Sequence, residues 1–209
     1  MTASTRLRAR RGEGDRLRAE IIDATEQLVT RSGGAEAVSV RAIAEAVGVS
    51  PPAIYLHFAD KDELIRAVCD RTFAAFDTAI EEAGNSTADP VESLRRRASA
   101  YVRFGLERPE QYRILFMSPP TTAPLEPDMP GADAFQHLVD AVAHAIAAGA
   151  LRPELDAFVV ATGLWTSMHG ITSAWISLPT FPWPVLDELV EHMCTTQLRG
   201  LAASRKDSS

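Results

Sequence analysis

The chain has 209 residues, of which 46% are hydrophobic and 23% are charged, a balance typical of globular proteins that excludes disordered and collagen-like chains. The formal net charge of −7 is unusual for a nucleic-acid-binding protein. However, the charge is unevenly distributed, with nine Lys/Arg against eight Asp/Glu in residues 1–61 and twelve against twenty in residues 62–209.

Arginine dominates the first residues, where six arginines within residues 1–18 accompany only two acidic residues, Glu13 and Asp15. We predict residues 1–15 to be a basic, flexible arm suited to DNA phosphates or a minor groove, with a solubilising tail as the alternative. No run approaches eighteen apolar residues, and no apolar segment follows the arginines, so we expect no membrane span, no signal peptide and a soluble, cytoplasmic protein. Cys69 and Cys194 match neither a disulfide framework nor a zinc pattern, and we expect both to be buried.

Apolar spacing predicts a first helix from residue 17 to the Gly33-Gly34 pair. A second helix is predicted over residues 39–47, with Ser39 as its N-cap and Gly48 as its stop. A short third helix over residues 50–56 would hold two prolines in its first turn, where a missing N–H costs nothing. A long connecting helix is predicted to begin at Asp60 and to end near residues 84–85.

Further helical spacing covers residues 91–107, 110–117, 132–148, 155–178 and 185–203. Residues 118–131 hold five prolines and no periodicity, which predicts a surface loop. Because no segment reads as a strand, we predict an all-α fold. Its N-terminal three-helix helix-turn-helix domain spans residues 16–60, a connecting helix spans 61–84, and a larger helical domain spans 85–205.

Residues 39–58 have the composition of a helix-turn-helix, in which the second helix of the pair enters the major groove of DNA. Ala44 is small at the predicted helix crossing, Gly48 permits a left-handed turn, and Val49 is expected to fill the core beneath it. The run VRAIAEAVGVSPPAIYLHF (residues 40–58), continued by Lys61, Leu64 and Val68, resembles the tetracycline-repressor (TetR) family over about residues 17–70.

The resemblance implies a homodimer that binds double-stranded operator DNA, with phosphate contacts from Ser39, Tyr55, His57 and Lys61. It also implies that base edges face Arg41, Ser50, Pro51, Pro52 and Ala53. Arginine is the usual bidentate reader of guanine, and a tyrosine hydroxyl and a lysine are good phosphate donors. The two prolines and the alanine have no side-chain donor, so they would contact thymine methyl groups, and the operator sequence stays open. Alternatively, Tyr55 and His57 form an aromatic pair that packs the small domain.

The second motif is Trp165-Thr166-Ser167-Met168-His169-Gly170, preceded by aromatic segments at residues 101–104 and 109–116. Together they resemble the TetR subgroup named for a Trp-His-Gly signature, which implies dimerisation through the last two helices and an effector pocket between the middle helices. Gly163 and Gly170 would allow a helix to approach closely, at a dimer seam or beside a cavity. We predict that aromatic and polar side chains line the pocket, and a filled core is the alternative: Tyr101, Phe104, Tyr112, Phe116, Phe135, Trp165 and His169.

These features predict a transcriptional repressor that leaves its operator when an unidentified small-molecule effector binds, with an activator or a ligand-independent DNA-binding protein as alternatives. No catalytic or phosphate-binding motif is present, so we expect neither an enzyme nor a cofactor. His137, Asp140 and His144 share one helix face and would suit a metal, but two histidines and a carboxylate on an amphipathic helix favour a solvated face, so no metal site is predicted. His169 is expected to be a structural hydrogen-bonding histidine.

Overall fold

The structure, a computed structural model, describes residues 13–117 and 131–203. Residues 1–12 of the predicted arm and residues 118–130 of the predicted loop lie outside the described residues. Residues 13–15, which we assigned to the arm, instead form the first turn of a helix, which the ion pair of Arg16 with Glu20 one turn later supports. No helix among the described residues is long and apolar enough to cross a membrane.

The described residues form nine α-helices and one short 3₁₀ turn, with no strand among them, in agreement with the predicted all-α class. The helices are α1 (Glu13–Ser32), α2 (Val40–Val47), α3 (Pro51–Ile54), α4 (Lys61–Asn85), α5 (Pro90–Glu107), α6 (Pro109–Phe116), α7 (Ala132–Ala147), α8 (Ala157–Ser177) and α9 (Leu186–Leu201). The 3₁₀ turn, Ala35–Ala37, was not predicted. The chain divides between Arg71 and Thr72 into two compact units, each with buried apolar residues of its own.

Local capping sets the helix ends of the N-terminal unit. The Ser39 side chain accepts a hydrogen bond from the Ala42 amide at 3.2 Å, and Gly48 ends α2 with a left-handed φ of 77°, both as predicted. Asp60 precedes α4 as its N-cap, accepting from the Glu63 amide at 2.7 Å, while the Glu63 carboxylate accepts from the amide before Asp60 at 2.5 Å. This reciprocal capping box explains why α4 begins one residue later than predicted.

The third helix is shorter than predicted, because α3 ends at Ile54 and the chain turns at once. The amides of His57 and Phe58 both donate to the Ile54 carbonyl oxygen, at 3.0 and 3.1 Å. This turn allows Ile54 and Phe58 to bury their side chains together, whereas Val49, expected in the core, is only half-buried. Burial of two large apolar side chains therefore outweighs continued helix formation here.

In the C-terminal unit, α5 and α8 pack against each other, and α7 and α9 also pack against both. The boundaries of these helices fall within two residues of the predicted ones. Gly105 on α5 permits the close approach to α8, because a Cβ there would lie 2.4 Å from Cγ2 of Thr172. Cys194 is buried as expected, whereas Cys69, in the N-terminal unit, is half-buried. Burial raises the pKa of both thiols to about 11.

Candidate functional site

The predicted DNA-contact residues lie on α2, on α3 and at the start of α4. Ser39, Arg41, Ser50, Pro51, Pro52 and Tyr55 are exposed, and Ala53, His57 and Lys61 are half-buried. Within α3 only Ile54 is buried, so this helix is anchored mainly by one side chain and exposes its two prolines to solvent. A short helix displayed in this way is the geometry that a major-groove reading helix requires.

Three side chains of this surface, two of them cationic, are available for an external partner. Arg41, Tyr55 and Lys61 form no side-chain hydrogen bond or ion pair with another part of the described chain. By contrast, Arg71 at the end of the same unit is held by both Asp23 and Glu26. An unpaired exposed arginine or lysine can exchange its counterions for phosphates without first breaking an internal pair.

Tyr55 does not pack the small domain, because 53% of its surface is exposed. The aromatic residue that does so is Phe58, which is 2% exposed and is covered by the Arg18 guanidinium at 4.7 Å from the ring centroid. This exposure favours the contact role for Tyr55 over the packing alternative. Ser39 accepts a hydrogen bond as N-cap, and its hydroxyl hydrogen stays available to a phosphate oxygen.

A second candidate site is a cluster of aromatic rings in the C-terminal unit. Phe116 packs on Tyr112 with 4.8 Å between ring centroids, and Phe76 lies 5.0 Å from Tyr101 and 5.2 Å from Phe104. Phe73 joins Phe116 edge-on at 5.4 Å. Phe73 and Phe76 were not among the predicted lining residues. Their spacing of three on the long helix α4 was the available signal that both face the same neighbour.

The remaining predicted residues extend this aromatic cluster toward α7 and α8. His169 lies 5.8 Å from both Trp165 and Tyr112, measured between ring centroids, and Trp165 lies 6.0 Å from Phe135. All seven predicted effector-site residues therefore belong to one connected set. Three of them are buried, namely Tyr101, Phe104 and Tyr112, whereas Phe116, Phe135, Trp165 and His169 are half-buried.

One polar node lies inside the aromatic cluster. The hydroxyl oxygens of Tyr101 and Tyr112 are 3.0 Å apart, and the Tyr112 hydroxyl lies 2.7 Å from Nδ1 of His169. Burial raises the pKa of Tyr101 strongly, raises the pKa of Tyr112 to about 12, and lowers the pKa of His169. The node is therefore neutral near pH 7, and His169 has the structural hydrogen bond that we predicted.

The metal alternative named the wrong partners for His137. Its Nδ1 lies 2.9 Å from Asp77 of α4, while Asp140 accepts a hydrogen bond from the side-chain Nε2 of Gln136 at 2.8 Å. Asp77, Glu81 and His137 offer donor atoms within 4.8 Å of one another. However, the largely buried Arg97 guanidinium holds Glu81, and His137 holds Asp77, so each carboxylate already has a partner.

Two family profiles match this chain. The profile described as "Bacterial regulatory proteins, tetR family" covers residues 21–68, which include α2, α3 and the start of α4. The profile described as "Tetracyclin repressor-like, C-terminal domain" covers residues 94–197, which include most of the aromatic cluster. The Trp-His-Gly subgroup itself stays a prediction.

Individual relatives agree with the profiles. The chain is 33% identical over 104 residues to the HTH-type transcriptional activator FasR of Mycolicibacterium smegmatis, a match that spans 50% of this chain and only 47% of that regulator. It is 26% identical over 182 residues to the HTH-type transcriptional regulator TtgR of Pseudomonas putida, covering 83% of this chain and 86% of TtgR. A solved structure of a protein of unknown function from Rhodococcus sp. RHA1 superposes with a TM-score of 0.77 at 28% identity, covering 89% of this chain and 95% of that one.

Members of this family bind operator DNA, form dimers and respond to small molecules. The matched segments coincide with the exposed reading surface and with the aromatic cluster. The chain therefore belongs to the TetR family and is a DNA-binding transcriptional regulator, not an enzyme.

Proposed function

We propose that this regulator is a repressor that occupies a pseudo-palindromic operator as a homodimer and leaves it when a small-molecule effector binds. The observation that carries this proposal is the exposed surface of α2 and α3, on which Arg41 has no hydrogen-bond or ion-pair partner among the residues that the structure describes. Free cations beside a solvent-exposed short helix favour contact with duplex DNA over any role within the fold.

The proposed contacts divide by chemistry. Ser39, Tyr55, His57 and Lys61 supply donors to phosphate oxygens and set the register on the duplex. Arg41 reads a guanine through its two parallel N–H groups, and the Pro51-Pro52-Ala53 surface packs against thymine methyl groups. Since Ser50 caps α3 without using its side chain for the cap, its hydroxyl is also available at this surface.

Homodimerisation is proposed through α8 and α9. Phe158 and Val159 at the start of α8 are 61% and 66% exposed, a large apolar surface to leave in water. Further along α8, a Cβ built on Gly163 or Gly170 would meet no atom within 4 Å, so both positions leave room for a partner helix. Apolar side chains beside small residues favour close helix packing between two copies.

Effector binding is assigned to the aromatic cluster, because half-buried rings around a few polar groups are typical of small-molecule sites. We propose that α4 transmits the binding event, since it carries Lys61 at its start and the cluster residues Phe73 and Phe76 further along. A shift of this helix would change the separation of the two DNA-binding surfaces of the dimer and so weaken the contact with both half-sites.

The test is selection of genomic DNA fragments by the purified protein, followed by anisotropy titrations on the enriched sequence. We expect one short pseudo-palindrome whose half-sites lie about 34–36 Å apart, the spacing of successive major grooves. Arg41→Ala should reduce the enrichment, and Arg103→Ala, which removes a 62% exposed side chain of α5, should leave it unchanged. A monomer that ignores duplex DNA at low salt would contradict the proposal.

Activation is the second candidate, because FasR, 33% identical over half of this chain, is named an activator. Transcription from a promoter that carries the selected operator distinguishes the two. Repression predicts lower transcript with the regulator present, and activation predicts higher transcript from the same template.

A further inference from the structure

The hydrogen bonds of the polar node link two tyrosine hydroxyls and one imidazole. The Tyr101 and Tyr112 hydroxyls are 3.0 Å apart, and Tyr112 is 2.7 Å from His169 Nδ1. Tyr101 lies 3.5 Å from the same nitrogen. Each hydroxyl has one hydrogen to donate, so the direction of these bonds follows from the acceptors within reach.

One arrangement of protons satisfies both hydroxyls with the acceptors of these three hydrogen bonds. Tyr101 donates to Tyr112, and Tyr112 donates to Nδ1 of His169. The reverse arrangement, with a proton on Nδ1, would leave one of the two hydroxyl hydrogens without an acceptor among these bonds of the described residues. An unpaired buried donor is costly, so the forward arrangement is favoured. It makes His169 a neutral imidazole with its proton on Nε2.

The hydrogen bonds within this node leave one polar hydrogen unused, the Nε2–H group of His169. Among the described residues, the hydrogen bonds of His169 use Nδ1, and its ring is half-buried among Trp165, Tyr112 and Phe116. The aromatic cluster thus presents one directed donor within an otherwise apolar surface. A ligand that lies on these rings gains most if it places an acceptor against that donor.

Formal charge around the node is already neutralised. Arg113 at the end of α6 pairs with Glu110 and donates to the Ile176 carbonyl oxygen at 3.3 Å, and the Arg108 guanidinium lies over the Phe104 ring at 4.6 Å. No charged side chain of the described residues hydrogen-bonds to Tyr101, Tyr112 or His169. A carboxylate would therefore meet no free cation here, and an ammonium group would face an N–H donor.

Accepting the effector-released regulator proposed above, we infer that its effector is an uncharged, largely apolar molecule with a carbonyl-type oxygen, which accepts a hydrogen bond from His169 Nε2–H. The hydrogen bond from Tyr112 to Nδ1 holds the imidazole in the tautomer that this contact needs. Tyr101 and Tyr112 are positioning residues, because they act on the ligand through His169.

The tautomer is tested without any ligand or DNA. Long-range ¹H–¹⁵N spectra of the purified protein distinguish Nε2–H, Nδ1–H and doubly protonated imidazole, and His169→Gln assigns the signal. We expect the Nε2–H pattern at pH 7.5, and a mixture of the two tautomers in Tyr112→Phe, which removes the donor to Nδ1. Tyr55→Phe, an exposed tyrosine of the N-terminal unit, is the control and should change nothing. A doubly protonated or Nδ1–H imidazole in the wild type would overturn the inference.

Ligand class is tested with three matched bicyclic probes, 2-acetylnaphthalene, 2-vinylnaphthalene and 2-naphthoate, titrated calorimetrically into the full chain. One hydrogen bond to a partly buried donor corresponds to about tenfold in affinity, so the ketone should bind roughly tenfold tighter than the vinyl compound. His169→Leu should remove this preference, and His169→Gln, which keeps an N–H near the same position, should retain it. Preference for the carboxylate, or no preference for the ketone, would overturn the assigned class.

Failure of this inference can be told from failure of the proposed function. A protein that prefers the ketone but holds its operator equally well with and without it would contradict effector release and leave the ligand class intact. Release of the operator by 2-naphthoate alone would support effector release and contradict the assigned ligand class.

Discussion

Replacing Gly105 by alanine should destabilise the C-terminal unit by about 2 kcal/mol, even though alanine is the better helix former. A Cβ at this position would lie 2.4 Å from Cγ2 of Thr172 and 2.8 Å from Cδ2 of Tyr112. Both neighbours are completely buried and have no free space to move into. Overpacking of this kind costs about 1–3 kcal/mol, and we take the upper end because the added Cβ collides with two rigid neighbours. Alanine regains about 1 kcal/mol through its higher helix propensity, which leaves a net loss of about 2 kcal/mol.

The assay is unfolding in urea, monitored by circular dichroism, together with the thermal midpoint. For a chain of this size, about 2 kcal/mol corresponds to a decrease of roughly 4–8 °C in the midpoint. Because the displaced Tyr112 also donates to His169, Gly105→Ala should in addition weaken binding of the ketone probe.

Two further variants test the reason for the effect. Thr172→Ser removes the methyl group that collides, so the double variant with Gly105→Ala should recover part of the lost stability. Gly14→Ala, on α1 of the N-terminal unit, adds a Cβ whose nearest neighbour, a His57 ring carbon, is 3.9 Å away, so it should not be destabilising. If Gly105→Ala is as stable as Gly14→Ala, the close approach of α5 and α8 is not as tight as described.

Three further predictions concern charge. Arg41→Ala should cost operator binding about 1–3 kcal/mol and leave non-specific binding nearly unchanged, whereas Lys61→Ala should weaken binding to all sequences and reduce the salt slope by about one, both measured by anisotropy. Arg97→Met should destabilise the C-terminal unit by about 2–3 kcal/mol in urea unfolding, because it leaves the Glu81 carboxylate, 26% exposed, without its partner. Burial lowers the pKa of His169 below its ordinary 6.5, so the unfolded chain binds the proton more readily, and stability should fall as pH decreases through about 6.5.

Each of these has a contradicting result. If Arg41→Ala weakens binding to operator and to random DNA equally, Arg41 contacts phosphates and does not read a base. A double variant, Arg97→Met with Glu81→Leu, should regain stability, and further loss would mean that the guanidinium matters for packing alone. His169→Gln should reduce the loss of stability between about pH 7 and pH 5, and an unchanged pH profile would show that another group titrates.

The local features of the reading surface were predictable from the sequence because neighbours along the chain determine them. Ser39, Gly48 and the prolines of α3 act on amides and φ angles within a few residues, so their effects follow without knowledge of the fold. The length of α3 was mispredicted for a tertiary reason. Helical spacing continued to Leu56, but the joint burial of Ile54 and Phe58 ended the helix at Ile54.

For the aromatic cluster, by contrast, the contacts depended mainly on the tertiary structure. Sequence reasoning selected the seven residues by type and resemblance, yet it missed Phe73 and Phe76, which are separated from Tyr112 by more than thirty positions. It also grouped His137 with Asp140 and His144 on one helix face, whereas Asp77 of α4 is the residue it contacts.

The amino-acid sequence alone determined the helical class and most helix boundaries, since caps, prolines and apolar periodicity act over one or two turns. Only the tertiary structure decided which rings meet, which carboxylate each cation pairs with and which nitrogen of His169 lies against the Tyr112 hydroxyl. Periodicity identifies the apolar face of a helix, but the neighbour against which that face packs depends on how the whole chain folds.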